Sequence, residues 1–177
     1  MIIMLFGVSN VGKTTAGREL ARLLRYEFKD LDEEVRQRKG VTTEEFVSQG
    51  TIYDRDKYRG KVLSELAASE KNTVIAVTPM SNTRFFKRLL SEDGIIAVEL
   101  QDTAENIFER LVFSDENDVV YHDDEYKNAH RSWYLSEIRK DQQWYGNKYK
   151  AIEQKYHMNG ETPEETAQGL IDMLNLR

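Results

Sequence analysis

The sequence contains no cysteine, so disulfides and thiolate metal sites are excluded, which is compatible with a reducing compartment. No apolar run reaches the roughly 20 residues needed to cross a bilayer. The first candidate strand starts at Met1 or Ile2 and leaves no room for a signal peptide, so a cytoplasmic location with no membrane partner is expected. Positive charge is also in deficit: 25 Lys and Arg face 31 Asp and Glu, for a net charge of −6. Nucleic acid is therefore not the expected partner, because phosphate backbones are held by basic faces, and any polyanion must be held locally. The 3 histidines are scattered without ligand spacing and suggest no metal site. Internal repeats and low-complexity linkers are missing too. What is present, 177 residues with 40% hydrophobic content, suits one compact domain spanning residues 1–177, expected to act as a monomer.

The most informative stretch is Gly7-Val8-Ser9-Asn10-Val11-Gly12-Lys13-Thr14, which matches the phosphate-binding pattern G-x-x-x-x-G-K-[ST] at every fixed position. Its flanks fit as well. Ile2-Ile3-Met4-Leu5-Phe6 reads as a buried strand, and Thr14 to Arg25 reads as a helix with Ala16, Leu20, Leu23 and Leu24 on its apolar face. Glycines let successive N–H groups turn inward, and the helix start adds unpaired donors and a positive dipole end. Lys13 is placed to neutralise β and γ phosphates, and the Thr14 hydroxyl to ligate magnesium.

Further along, Glu27 to Asp32 reads as a short strand whose end carries Asp30 and Asp32 on the same side. Val41 to Phe46 is a helix start with a Thr42/Glu45 capping box, and a longer helix follows with Arg55 and Arg59 near its beginning. Gly60 is expected to bend or bulge that helix. Thr73 to Val77 reads as a strand stopped by Thr78-Pro79, Ser81 to Leu90 as a basic helix, and Gly94 to Leu100 as another strand. Nearly all-apolar strands separated by helices indicate a parallel α/β sheet covered on both faces, with ligands at the carboxyl ends of its strands. A helix over Thr103 to Val112 precedes an acidic, aperiodic segment near 113–130, read as a mobile lid. Trp133, Tyr134, Trp144 and Tyr145 read as packing residues. The chain closes with a strand around Lys155 to Met158 and a helix capped by Thr162, with Pro163 at its first position.

The loop, Asp30-Leu31-Asp32, the block Val41 to Gly50 with Arg55 five residues on, and Val62-Leu63-Ser64-Glu65-Leu66 before a strand together resemble shikimate kinase. The resemblance implies a P-loop NTPase three-layer sandwich with a five-stranded parallel sheet, similar to nucleoside monophosphate kinases. It implies transfer of the γ-phosphoryl group of ATP to a hydroxyl of shikimate or a related small, anionic hydroxylated acid. In it, Asn10, Val11, Gly12, Lys13, Thr14 and Thr15 wrap the ATP phosphates, and Thr14 and Asp30 serve Mg2+, Asp30 through water. Asp32 orients the acceptor hydroxyl and acts as its base, Arg55 pairs with the acceptor carboxylate, and Arg110 lies near adenine. The chain departs from the family where Thr78-Pro79-Met80 replaces a glycine triplet and Tyr58 a glutamate, and where the second acceptor arginine falls near Tyr145. The lid lacks an arginine, which leaves Arg131 and Arg139 as the candidates to meet phosphoryl charge. A kinase for another small acceptor and a non-catalytic nucleotide-binding regulator are the alternatives.

Overall fold

The computed structural model describes residues 1–176. The strands are β1 (Ile2–Phe6), β2 (Glu27–Asp30), β3 (Thr73–Ala76), β4 (Ile95–Gln101), the short pair β5 (Phe113–Ser114) and β6 (Val120–Tyr121), and β7 (Gln154–His157). The helices are α1 (Lys13–Leu24), α2 (Leu31–Lys39), α3 (Thr43–Ser48), α4 (Ile52–Ala67), α5 (Ala104–Glu109), α6 (Asp124–Ala129), α7 (Arg131–Lys148) and α8 (Pro163–Leu174). Five strands form one all-parallel sheet in the order β2-β3-β1-β4-β7, and β5 and β6 form a separate antiparallel hairpin. The sheet order reverses at β1, so the loop leaving its carboxyl end opens into the crevice where such sheets bind ligands.

β1 is buried throughout because both its faces are covered. Ile3 and Leu5 join Val74, Val98, Leu20, Phe108 and Leu170 on one side, while Met4 and Phe6 join Ile75, Leu31, Leu63, Phe86 and Tyr149 on the other. Each such side chain contributes roughly 1.5–3 kcal/mol by leaving water. Three helices begin on capping boxes, at Thr42/Glu45, Thr51/Asp54 and Thr162/Glu165, so their first N–H groups are satisfied by nearby side chains.

Several expectations give way to tertiary contacts. The helix expected over Ser81 to Leu90 is instead two 3-10 turns, Thr83–Phe85 and Lys87–Ser91. Asp56 captures the N–H groups of Ser81 and Asn82, and Phe86 is drawn into the core against Phe6 and Tyr149. α4 runs unbroken through Gly60, whose role is to admit a neighbour: a Cβ there would meet the Phe85 Cβ at 2.5 Å. Leu23 is exposed rather than buried. The acidic segment contains the hairpin followed by α6, and Trp133 and Trp144, read as packing residues, keep more than half of their surface in water. No helix among the described residues is long and apolar enough to cross a membrane.

Candidate active site

The loop between β1 and α1 turns on three residues in left-handed backbone: Gly7 at φ +140°, Asn10 at +60° and Gly12 at +111°. A Cβ at Gly7 would lie 2.6 Å from the Leu100 carbonyl oxygen, so only glycine fits that close approach. Gly12 caps α1 and sends the chain into it, leaving the first N–H groups of the helix facing the loop. Lys13 Nζ donates to the carbonyls of Gly7 (3.0 Å) and Val8 (2.7 Å), which holds the ammonium at the mouth of the loop. Burial lowers its pKa to about 8, against the opposing pull of the Asp32 and Asp30 charges. Thr15 closes the turn through its hydroxyl to the Gly12 carbonyl.

Across the loop, Thr14 Oγ1 donates to Asp30 Oδ2 at 2.7 Å. Asp30 is at once the last residue of β2 and the cap of α2, its Oδ1 accepting from the N–H groups of Asp32 and Glu33. Asp32 therefore does not continue the strand beside Asp30; it sits in the first turn of a helix, because the Asp30 cap starts α2 one residue earlier. A hydroxyl and a carboxylate this close, facing a phosphate loop, suit Mg2+, which takes few protein ligands and completes its shell from phosphates and water. No group of three metal-ligating side chains of another kind occurs among the described residues.

On the far side of Asp32 the structure brings up a residue that the sequence did not single out. Arg59 Nη2 lies 3.4 Å from Asp32 Oδ1 and Nη1 lies 3.8 Å from Asp56 Oδ1, with the guanidinium over the Phe46 ring at 5.2 Å. Its Nε is buried without a partner. Arg55 is not there: its Nη1 donates to the carbonyls of Val47, Gln49 and Gly50 and ties the α3–α4 turn. The two arginines are one helical turn apart, so the signal was a choice between neighbours on one face of α4. Asp56 is almost fully buried and accepts from Ser81 N–H (3.0 Å), Asn82 N–H (2.9 Å) and Asn82 Nδ2 (2.8 Å). It stands 3.8 Å from Arg59, while position 58 holds a tyrosine.

Met80 does not fill the crevice either. It is fully buried in the core, with its N–H 3.4 Å from the Tyr149 hydroxyl, so the bulk expected from replacing a glycine points away from the site. Burial raises the Tyr149 hydroxyl far above its usual range, which keeps it neutral. Trp144 Nε1 donates to Ser81 Oγ at 3.3 Å, and burial raises the Tyr145 hydroxyl above its usual range. Where a second arginine was expected, α7 presents the neutral Trp144 donor.

A cavity of about 490 Å3 runs from the loop outward, lined by Asn10, Gly12, Lys13, Thr14, Thr15, Arg110, Val112, Met158, Glu161 and Pro163. Arg110 is fixed there by Asp102 at 2.7 Å. Burial pushes the Asp102 carboxyl up, but the bonds from Asn106, Arg110 and the Thr103 N–H outweigh it and leave the group below the usual carboxylate range. The structure does not bring Arg131 to the loop; it pairs with Glu109 at 3.1 Å and lies over Phe108, while Arg139 pairs with Glu105. Both are held against α5, which offers each of them a carboxylate.

A glycine loop at the switch point of a parallel sheet, with a lysine, a threonine–aspartate pair and a cavity of about 490 Å3 beside it, defines a P-loop nucleotide-binding protein of the phosphotransferase kind. The sequence profile of the shikimate kinase family matches residues 9–175. The chain belongs to that family and is an ATP-dependent phosphotransferase of shikimate-kinase type, acting on a hydroxyl group. It is 27% identical to shikimate kinase of Flavobacterium johnsoniae over 97% of this chain and 98% of that one. It is 35% identical to shikimate kinase of Novosphingobium aromaticivorans over 62% of this chain and 58% of that one. Shikimate kinase of Bacteroides thetaiotaomicron shares the fold at a TM-score of 0.77 and 23% identity, covering 99% of both chains. The Acinetobacter baumannii enzyme, solved in complex with shikimate, does so at 0.73 and 24% identity, covering 98% of this chain and 92% of that one.

Proposed function

We propose that this protein phosphorylates a hydroxyl of shikimate, or of a closely similar small acid carrying one carboxylate, with ATP and Mg2+. The observation that carries this reading is Arg59, a largely buried guanidinium with an unpartnered Nε, held within 3.4 Å of Asp32. A largely buried guanidinium whose Nη contacts to Asp32 and Asp56 are long, at 3.4 and 3.8 Å, can turn them to an acceptor carboxylate, and its neighbour Asp32 is left to meet a hydroxyl on the same acceptor. The neutral Trp144–Ser81 contact, in place of a second arginine, supports an acceptor with one charged group rather than two.

In this reading Lys13 neutralises charge on the transferred phosphoryl group, and Arg110 lines the adenine end of the cavity. Thr14 and Asp30 would hold Mg2+, which when bound supplies charge neutralisation at the phosphates. The acceptor oxygen forms its bond to the γ-phosphorus as the bond to the bridging oxygen of ADP breaks. Asp32 aligns the hydroxyl and takes its proton.

The test is ADP release coupled to a colour reaction, with and without shikimate. Stimulation by shikimate that disappears in Asp32→Asn is the expected result. Unstimulated release with intact ATP binding would move the search to other hydroxylated acids.

A further inference from the structure

The hairpin of residues 113–121 is held at two ends by different means. At its base, Phe113 stacks on Tyr121 at 5.7 Å and meets the rings of Tyr126 and Tyr134. At its tip, Asp115 folds the turn by accepting from Asn117 N–H (2.8 Å) and Val119 N–H (2.9 Å). Asp118 is left in left-handed backbone at φ +62°. From there its carboxylate meets Arg36 Nη1 at 3.0 Å and accepts the Thr43 N–H at 3.0 and 3.3 Å. Two-residue strands are too short to be stable alone, and Val119, Val120 and Tyr121 remain exposed, so apolar burial does not hold the tip. The carboxylate does.

What it grips matters. Arg36 stands four residues after Asp32 on α2, hence on the same helical face and one turn further along. Thr43 begins α3, whose Phe46 ring carries Arg59. The tip is therefore fastened to the two elements that frame the acceptor side, not to the phosphate loop. Between residues 111 and 130 there is no arginine, and the one lysine, Lys127, is buried against the Glu109 carbonyl and the Phe108 ring. No cation of this segment turns to the phosphates.

We propose that Asp118 is a positioning residue, which through Arg36 and the Thr43 N–H fastens the hairpin across the acceptor side of the site. The lid is thus closed by an anion gripping the acceptor-side helices. The fastening keeps water from the phosphoryl group and holds α2, with Asp32, against the acceptor. Its kinetic consequence rests on the acceptor reading above; the fastening itself does not.

The experiment compares the full-length wild type with Asp118→Asn, Asp118→Glu, Arg36→Lys and the exchanged pair Asp118→Arg/Arg36→Asp. Amide hydrogen exchange, followed by mass spectrometry without nucleotide, reads the fastening independently of activity. Asp118→Asn is expected to speed exchange across 113–121 by about tenfold, the worth of one partly buried charge-assisted bond, while the 7–15 loop keeps its wild-type rate. With shikimate and ATP, the same variant is expected to raise the acceptor KM by about fivefold to tenfold, with the ATP KM within about twofold. Partial recovery of both readouts in Asp118→Glu or in the exchanged pair supports the assignment. Unchanged exchange in Asp118→Asn overturns the fastening. Faster exchange with an unchanged acceptor KM overturns the positioning role. A wild type that shikimate does not stimulate defeats the acceptor reading alone, and exchange still decides whether Asp118 holds the hairpin.

Discussion

The phosphate side and the acceptor side of this site are assembled in opposite ways. The loop takes its donors from consecutive residues, Gly7 to Thr15, and most of its chemistry is backbone N–H held by glycine conformations and a helix start. The proposed acceptor side takes Asp32 from α2, Asp56 and Arg59 from α4, Ser81 from the turn after β3 and Trp144 from α7. A site made of contiguous backbone tolerates change elsewhere in the chain. A site made of side chains from separate helices can be re-specified by a shift of one residue, since each residue turns a helix by about 100°.

The comparison is sharpened first at Lys13. Lys13→Ala removes the ammonium proposed to meet the phosphates and is expected to lower turnover by about 10² to 10³ while the acceptor side stays folded, measured as kcat for ADP release. The pH dependence has a definite sign. Burial depresses the Lys13 pKa to about 8, so the free protein loses this charge, and nucleotide affinity weakens, as pH rises through 8 and above. Its contribution to stability runs the other way. Between about 8 and the ordinary 10.5 the unfolded chain binds the proton and the folded one does not, so the cost of burying the charge is lifted as pH rises. Titration calorimetry of ATP binding between pH 7 and 9.5 reads the first effect.

The next test sets the two arginines against each other. Arg59→Ala is expected to raise the acceptor KM by about tenfold to a hundredfold, the worth of a charge-assisted hydrogen bond, without altering the ATP KM. Arg55→Ala should instead leave both KM values near wild type and lower the melting temperature by a few degrees, because it frees three carbonyls of the α3–α4 turn. The reverse pattern would return the acceptor carboxylate to Arg55 and break the comparison.

The smallest kinetic effect belongs to Gly60→Ala. The new Cβ would crowd the Phe85 Cβ at 2.5 Å and its carbonyl oxygen at 3.0 Å, for a cost of about 1–3 kcal/mol seen in thermal unfolding. Both KM values should change little, since the residue packs α4 against the turn rather than facing the crevice.

The sequence by itself determined the parallel sheet, the phosphate loop and the capped helices. Strand periodicity, glycine conformations and capping boxes act over a few neighbouring residues, so their meaning survives without knowledge of the rest of the chain. It also carried Asp30 and Asp32, though as a strand pair rather than as a cap and a first helical turn. Tertiary structure alone decided which arginine faces Asp32, because Arg55 finds three carbonyls within eight residues of itself while Arg59 is turned inward by Phe46 and Asp56. It turned Met80 into the core, broke the expected basic helix into two 3-10 turns around Asp56 and Phe86, and drew Arg131 and Arg139 onto the carboxylates of α5. Most of these outcomes depend on a partner more than twenty residues away, and a side chain's choice among near and distant partners is settled by packing and ion pairing that no local pattern records.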